Sequence, residues 1–140
     1  MKTNIIGLEY DPDTGMTCCY LEKDGIVTMG TAICHIDDME FASERTGGFI
    51  AESRANINML RELRNRTKFS LKPLKHLYSN MQTSKHFNPH SYEAKMIRSQ
   101  IKALEREIEA YDADIKMEQQ YLSDYIKNKE IMYQKYRGQK

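Results

Sequence analysis

Arginine is the residue type in this chain of 140 residues whose placement could do chemistry. Arg54, Arg61, Arg64 and Arg66 fall in one segment, and Arg98 and Arg106 in another. A guanidinium fork matches phosphate geometry bidentately and keeps its charge when partly desolvated. Arg54 lies inside the apolar stretch IAESRANI, where partial burial is expected. Its counterpart is then an anionic ligand or a carboxylate such as Glu52 or Asp38. Arg106 sits among Glu105, Glu107 and Glu109, so it is either an anion contact or one half of a helix-surface ion pair. A second set, Tyr78, His86, Phe87, Asn88 and Tyr92, borders a polar stretch. Aromatic faces stack on nucleobases, and an asparagine amide reads a base edge with donor and acceptor together. Packing against a neighbouring subunit is the alternative for these residues. Arginines and aromatics together fit a nucleotide-type ligand. They fit nucleic acid as well, although no helix-turn-helix or finger pattern supports duplex reading.

Other chemistries lack their residues. Cys18, Cys19, Cys34, His35, Asp37 and Asp38 are close in sequence, but no CxxC or CxxH spacing converges them on a metal. Cys18 and Cys19 are strand neighbours and point to opposite faces. The same argument separates Cys34 from His35 as a nucleophile–base pair. Pro89 lies between His86 and His90 and argues against one helical face for them. No GxSxG, P-loop or GxGxxG motif occurs. Thr46-Gly47-Gly48 could offer backbone N–H groups to a phosphate, but a plain helix entry is much the stronger reading. The expectation is a protein with no catalytic residues, no metal and no cofactor.

Charge is distributed unevenly. Residues 1–44 hold two Lys against nine Asp and Glu (net −7), residues 45–102 hold twelve Lys and Arg against three Glu (net +9), and residues 103–140 come to −1. A basic centre suggests anion binding, while the alternative is that acidic and basic segments face each other within a subunit or across a dimer. The chain is 40% hydrophobic and 29% charged, which suits one folded domain with much polar surface. Three cysteines without a spaced framework point to a reduced, intracellular setting. MKTNIIGLEYDPD has no apolar core for a secretory signal, and no run reaches the ~20 apolar residues of a membrane span.

These residues need elements to hold them. NIIGLEY ends at the turn cluster Asp11-Pro12-Asp13-Thr14-Gly15, MTCCYLEK ends at the hairpin signal Asp24-Gly25, and GIVTMGTAICH alternates. An antiparallel β-meander over residues 3–35 follows, with Val27, Met29, Thr31 and Ile33 on one face. Three strands with one apolar face require a covering helix. Ile50, Ile57, Leu60 and Leu63 have helical spacing, so that helix is placed at about 49–69. Pro73 marks a break before a short helix at 73–81, and the polar residues 82–91 form a loop. Together, residues 1–91 make an α+β domain. Ser91 then caps a long C-terminal helix in residues 92–140, whose stretch 92–136 contains no Gly or Pro.

That last helix carries a heptad seam, Ile97, Ile101, Leu104, Ile108, Tyr111 and Ile115, which stops at Glu118 and resumes loosely at Leu122 and Tyr125. A helix of about 45 residues is ~67 Å long, against a radius of gyration of ~14 Å for a globule of this size. It is expected to pair in a dimer or higher oligomer. The alternative is an intramolecular hairpin with a break near Asp112–Asp114.

The segments Gly30-Thr31-Ala32-Ile33-Cys34-His35-Ile36-Asp37-Asp38 and Thr46-Gly47-Gly48-Phe49-Ile50-Ala51-Glu52-Ser53-Arg54-Ala55 resemble a G-x-A-x-C-H-x-D-D run and a T-G-x-x-I-A-E-x-R-A helix of small phage and prophage proteins. With the long charged helix, the chain is similar to the phage anti-defence proteins that sequester the Thoeris immune signal. The likeness covers residues 1–110 in architecture, and the motif itself about 30–55. It implies an oligomeric sponge in the host cytoplasm that binds a cyclic ADP-ribose derivative between subunits without cleaving it. In some members cyclic oligonucleotides occupy separate sites. Arg54 comes from the matched motif. Tyr78, Asn88 and Arg106 are placed by residue type and element, with Phe87 as the other choice of stacking aromatic. The runner-up reading is a coiled-coil scaffolding protein whose basic middle binds protein or nucleic acid.

Overall fold

A computed structural model describes residues 3–33 and 44–138. Cys34, His35, Asp37 and Asp38 lie outside the described residues, as does the expected end of the meander at residue 35. The elements are β1 (Asn4–Asp11), β2 (Met16–Lys23), β3 (Ile26–Ile33), α1 (Glu44–Gln82) and α2 (Tyr92–Gly138). The class is α+β, with a three-stranded antiparallel sheet of order β1-β2-β3 followed by helices. The chain divides into two compact units, Met1–Leu60 with Ile115–Lys140, and Arg61–Asp114. Each helix contributes to both units, whereas the sequence pattern divides the chain at residues 91/92. No described helix is long and apolar enough to cross a membrane.

In the first unit the turns form where their residues dictate. Asp11 Oδ1 accepts from Asp13 N at 2.9 Å, and Gly15 N donates to Asp11 O at 2.8 Å. Asp24 and Gly25 take φ of 51° and 80°, the left-handed pair that a tight hairpin needs. The covering helix departs from expectation. The first part of α1 packs on the face of Thr17, Cys19, Leu21, Thr28, Gly30 and Ala32, all buried, and leaves Val27, Met29 and Ile33 exposed on the other. Side-chain size decides this. A Cβ at Gly30 would collide with the backbone of Ala51 and Ala55, so the helix sits directly on the strand. Only the face that carries Gly30 admits that approach, and the Thr28 hydroxyl uses it to donate to Ala55 O at 2.9 Å.

The edge of β3 is closed by α1. Arg54 Nη1 donates to Thr31 O at 2.7 Å, and Asn58 Nδ2 donates to Met29 O at 2.8 Å. Residues one helical turn apart thus supply the donors that a fourth strand would have supplied. The C-terminal part of α2 completes the unit. Ile115 and Leu122 are buried, and Phe49 stacks with Tyr125 at 4.2 Å between ring centroids. The interruption of the heptad now has its reason. Glu118 Oε1 accepts a 2.7 Å bond from the hydroxyl of buried Ser53, so a polar pair replaces one apolar layer.

The second unit is an antiparallel helical hairpin. Arg64 pairs with Asp112 at 3.0 Å, Lys75 with Glu105 at 3.4 Å, and Arg98 Nη1 donates to Tyr78 Oη at 3.2 Å. Ser91 caps α2 as expected, its Oγ accepting from Ala94 N at 3.2 Å. Ile101 and Ile108 line grooves against residues of α1 in the same chain. These two seam residues therefore face α1 within the chain, and α2 runs through Asp112–Asp114 without a break. The break at Pro73 is also absent, and the two expected helices are one helix of 39 residues. Proline costs an interior helix about 3 kcal/mol, largely through a lost backbone bond. Pro73 and Phe69, the residue whose carbonyl loses its partner, are both on the exposed side of α1.

Candidate functional site

The loop between the helices is built to present its aromatics. Successive turns fold residues 80–91, with Thr83 N bonding Asn80 O, Phe87 N bonding Ser84 O and Ser91 N bonding Asn88 O. They bring Phe87 back to Tyr78 on α1, edge to face, with centroids 5.9 Å apart and an interplanar angle of 83°. This is a favourable aromatic geometry worth about 0.5–1.5 kcal/mol beyond burial. From α2, Arg98 fixes the Tyr78 hydroxyl. Asn88 follows Phe87 and is exposed, its Oδ1 accepting from His90 N at 2.9 Å.

A groove of about 290 Å³ beside Tyr78 is lined by Lys75, Ser79, Gln82, Arg98, Lys102 and Glu105 among others. Three cations face one carboxylate there, and Lys75 holds that carboxylate. A second groove continues it past the same Lys75 and Glu105 to Lys68, Lys72 and Glu109. Charge changes sign along the hairpin. Residues 72–102 carry six Lys and Arg against Glu93 (net +5), and residues 103–114 carry Arg106 against five Asp and Glu (net −4). The positive potential is therefore strongest toward the loop end, where the aromatics are.

Comparison with protein-family models, curated proteins and solved structures finds no match.

The four residues expected at the site divide between the two units. Tyr78 and Asn88 share the loop end of the second unit, Tyr78 half-buried beside Phe87. Arg106 is on the same unit but exposed, one turn of α2 beyond Lys102 and outside the lining of the groove. Arg54 belongs to the first unit. The expectation of its partial burial is corrected, because Arg54 is exposed and its Nη1 bonds a strand carbonyl rather than Glu52. The apolar stretch around it reflects its neighbours Ala51, Ser53, Ala55 and Ile57, which are buried while the guanidinium reaches sideways to the sheet edge. Sequence reasoning did not place Arg98, Lys75 and Lys102 at the site. Arg98 and Lys102 are one helical turn apart, and that spacing was the available signal.

Among the described residues, no group of three or more His, Cys, Asp or Glu side chains could hold a metal ion. Thr46-Gly47-Gly48 lies within α1 rather than before it. Cys19 is fully buried, and burial followed by the nearby Glu52 carboxylate pushes its thiol above the ordinary value.

Proposed function

We propose that the protein captures a nucleotide signal of the cyclic ADP-ribose type and holds it without cleavage, as a phage anti-defence sponge in the host cytoplasm. The observation that carries this reading is the Tyr78–Phe87 pair fixed by Arg98 at the mouth of a groove with two further cations. An adenine ring stacks on one of these aromatics with Asn88 at its edge. The pyrophosphate meets Arg98, Lys75 and Lys102, with Arg106 extending the positive field by one turn. Arg54 is left out of this site and assigned to the sheet edge. Stacking and charge suffice for capture, and no nucleophile or metal takes part. The resemblance of residues 30–55 to the Thoeris-directed sponges supports the choice of ligand, and with it an oligomeric state.

The test is uptake and release. Protein is incubated with the cyclic signal and freed of unbound ligand. It is then heat-denatured, and the supernatant is analysed by mass spectrometry. Return of the intact signal supports the reading, uptake with product formation indicates an enzyme, and no uptake sinks it. Exposed apolar side chains, Phe69 at 80% and Met117 at 72%, favour a second reading as a scaffold that binds other macromolecules. Absence of ligand uptake together with capture of a polyanion or protein would select that reading.

A further inference from the structure

Among the described residues, nothing covers the open face of the sheet. Val27, Met29 and Ile33 are 56%, 46% and 69% exposed there, three apolar side chains along β3. Strand pairing puts Glu9, Asp11 and Glu22 on the same face, and no Lys or Arg of any strand joins them. Across residues 3–33 the balance is five acids to one lysine, a net of −4. The face is apolar along β3 and acidic along β1.

The opposite character occurs on α1 within the second unit. Phe69 is 80% exposed and Leu77 48%, and with Pro73 they follow each other at i, i+4 and i+8. Arg66 and Lys72 lie one turn to either side of Phe69, both exposed. Residues 61–114 carry eleven Lys and Arg against seven Asp and Glu, a net of +4. We infer that the sheet face of one copy receives the Phe69–Leu77 face of α1 from a second copy, a head-to-tail contact of an apolar-acidic surface with an apolar-basic one.

Size and charge both select this occupant. An eight-residue, three-stranded sheet offers a face of about 26 by 14 Å, and the helical segment from Phe69 to Leu77 is about 12 Å long. The helix therefore fits across the strands, placing Phe69 on the Val27–Met29 strip and Lys72, on the Leu77 side, toward the acids. Packing two sheets face to face fares worse. A two-fold axis across the strands opposes the Glu9 and Asp11 rows to each other, and one along the strands buries them against the apolar β3 row. A contact of this area belongs to the weak class below about 1,200 Å² of total buried surface. Because the two surfaces differ, each copy can use both, and the assembly grows unless its geometry closes a ring.

This inference does not depend on the ligand site, and its test uses no ligand. Sedimentation velocity at micromolar to submillimolar protein is run on the wild type, on Met29→Glu, on Phe69→Glu and on an equimolar mixture of the two variants. The wild type is expected to self-associate and to weaken in 0.5 M salt, where exposed charges are screened. Each variant alone should lose at least tenfold in association. Their mixture, with one intact copy of each surface, should regain a dimer and nothing larger. Both changed side chains are exposed, so folding should be unaffected. If circular dichroism shows otherwise, Val27→Glu and Leu77→Glu replace them. A monomeric wild type, variants that associate like the wild type, or a mixture that stays monomeric overturns the inference. Loss in Met29→Glu alone, with Phe69→Glu unchanged, overturns it in favour of a sheet-to-sheet dimer.

Discussion

Replacing Gly30 by alanine sets two physical effects against each other. In an isolated strand the change is favourable by about 0.5–1 kcal/mol, because alanine gives up less backbone freedom than glycine. Here the added Cβ would collide with Ala51 O and Ala55 N and sit 2.9 Å from the carbonyl carbon of Arg54. All three are backbone atoms of α1, so no side chain can turn away and the helix itself must move back. Overpacking of this kind costs about 1–3 kcal/mol. The retreat also stretches the bonds from Thr28, Arg54 and Asn58, each contributing on the order of 1 kcal/mol. A net loss of about 2–4 kcal/mol follows, confined to the first unit. Global melting can blur such a change in a chain of two units. Cys19 supplies a local reading, since it is fully buried under α1 and reacts only when that interface opens. Its alkylation, followed by peptide mass spectrometry to separate it from Cys18 and Cys34, should accelerate roughly 30- to 1,000-fold, at tenfold per ~1.4 kcal/mol. Val27→Ala on the open face should leave the rate unchanged. Alkylation in Gly30→Ala as slow as in the wild type would show that the helix does not bear on the strand as described.

At the candidate site, Arg98→Ala should weaken ligand binding by roughly 10- to 150-fold in calorimetry, the value of a charge-assisted bond of 1.5–3 kcal/mol, with a melting change under about 1 kcal/mol. Arg54→Ala should show the converse, lower stability of the sheet unit and unaltered affinity, and an affinity loss there would return Arg54 to the site. Ser91→Ala should cost about 0.5–2 kcal/mol in urea unfolding through loss of the α2 cap, and a neutral effect would contradict the capping bond. For pH, the Cys19 thiol is raised above 9.0 by burial and then by Glu52, so the folded state resists losing that proton. Its stabilising effect is complete below the unfolded value and declines as pH rises past about 9. Cys19→Ala should remove that part of the alkaline slope in pH-dependent urea titrations, and an identical slope would contradict it.

The features legible in the sequence were those fixed by local backbone chemistry. Asp24-Gly25 must turn left-handed and Ser91 must cap, whatever surrounds them, and the meander and α2 followed from such signals. The choice of sheet face was different. Alternation showed two faces but ranked them by hydropathy, whereas side-chain volume decided which one α1 could reach. Pro73 misled for a related reason, since its local cost was outweighed by packing along a 39-residue helix. The heptad seam identified an apolar stripe without saying whose helix would meet it. Of the site, residue types at Tyr78 and Asn88 were readable. Pairing Tyr78 with Arg98 required the fold, which joins residues 20 positions apart.

Closure of the β3 edge by Arg54 and Asn58 has a consequence during translation. The meander leaves the ribosome complete by Ile33, but the donors that occupy the Thr31 and Met29 carbonyls lie 23 and 29 residues downstream. At 5–20 residues per second, that edge stays bare for roughly 1–6 s on each nascent chain. Neighbouring chains on one polysome present identical bare edges during that interval, and strand pairing between them competes with completion of the fold. Slow synthesis through the start of α1 should therefore lower soluble yield more than an equal delay placed in α2.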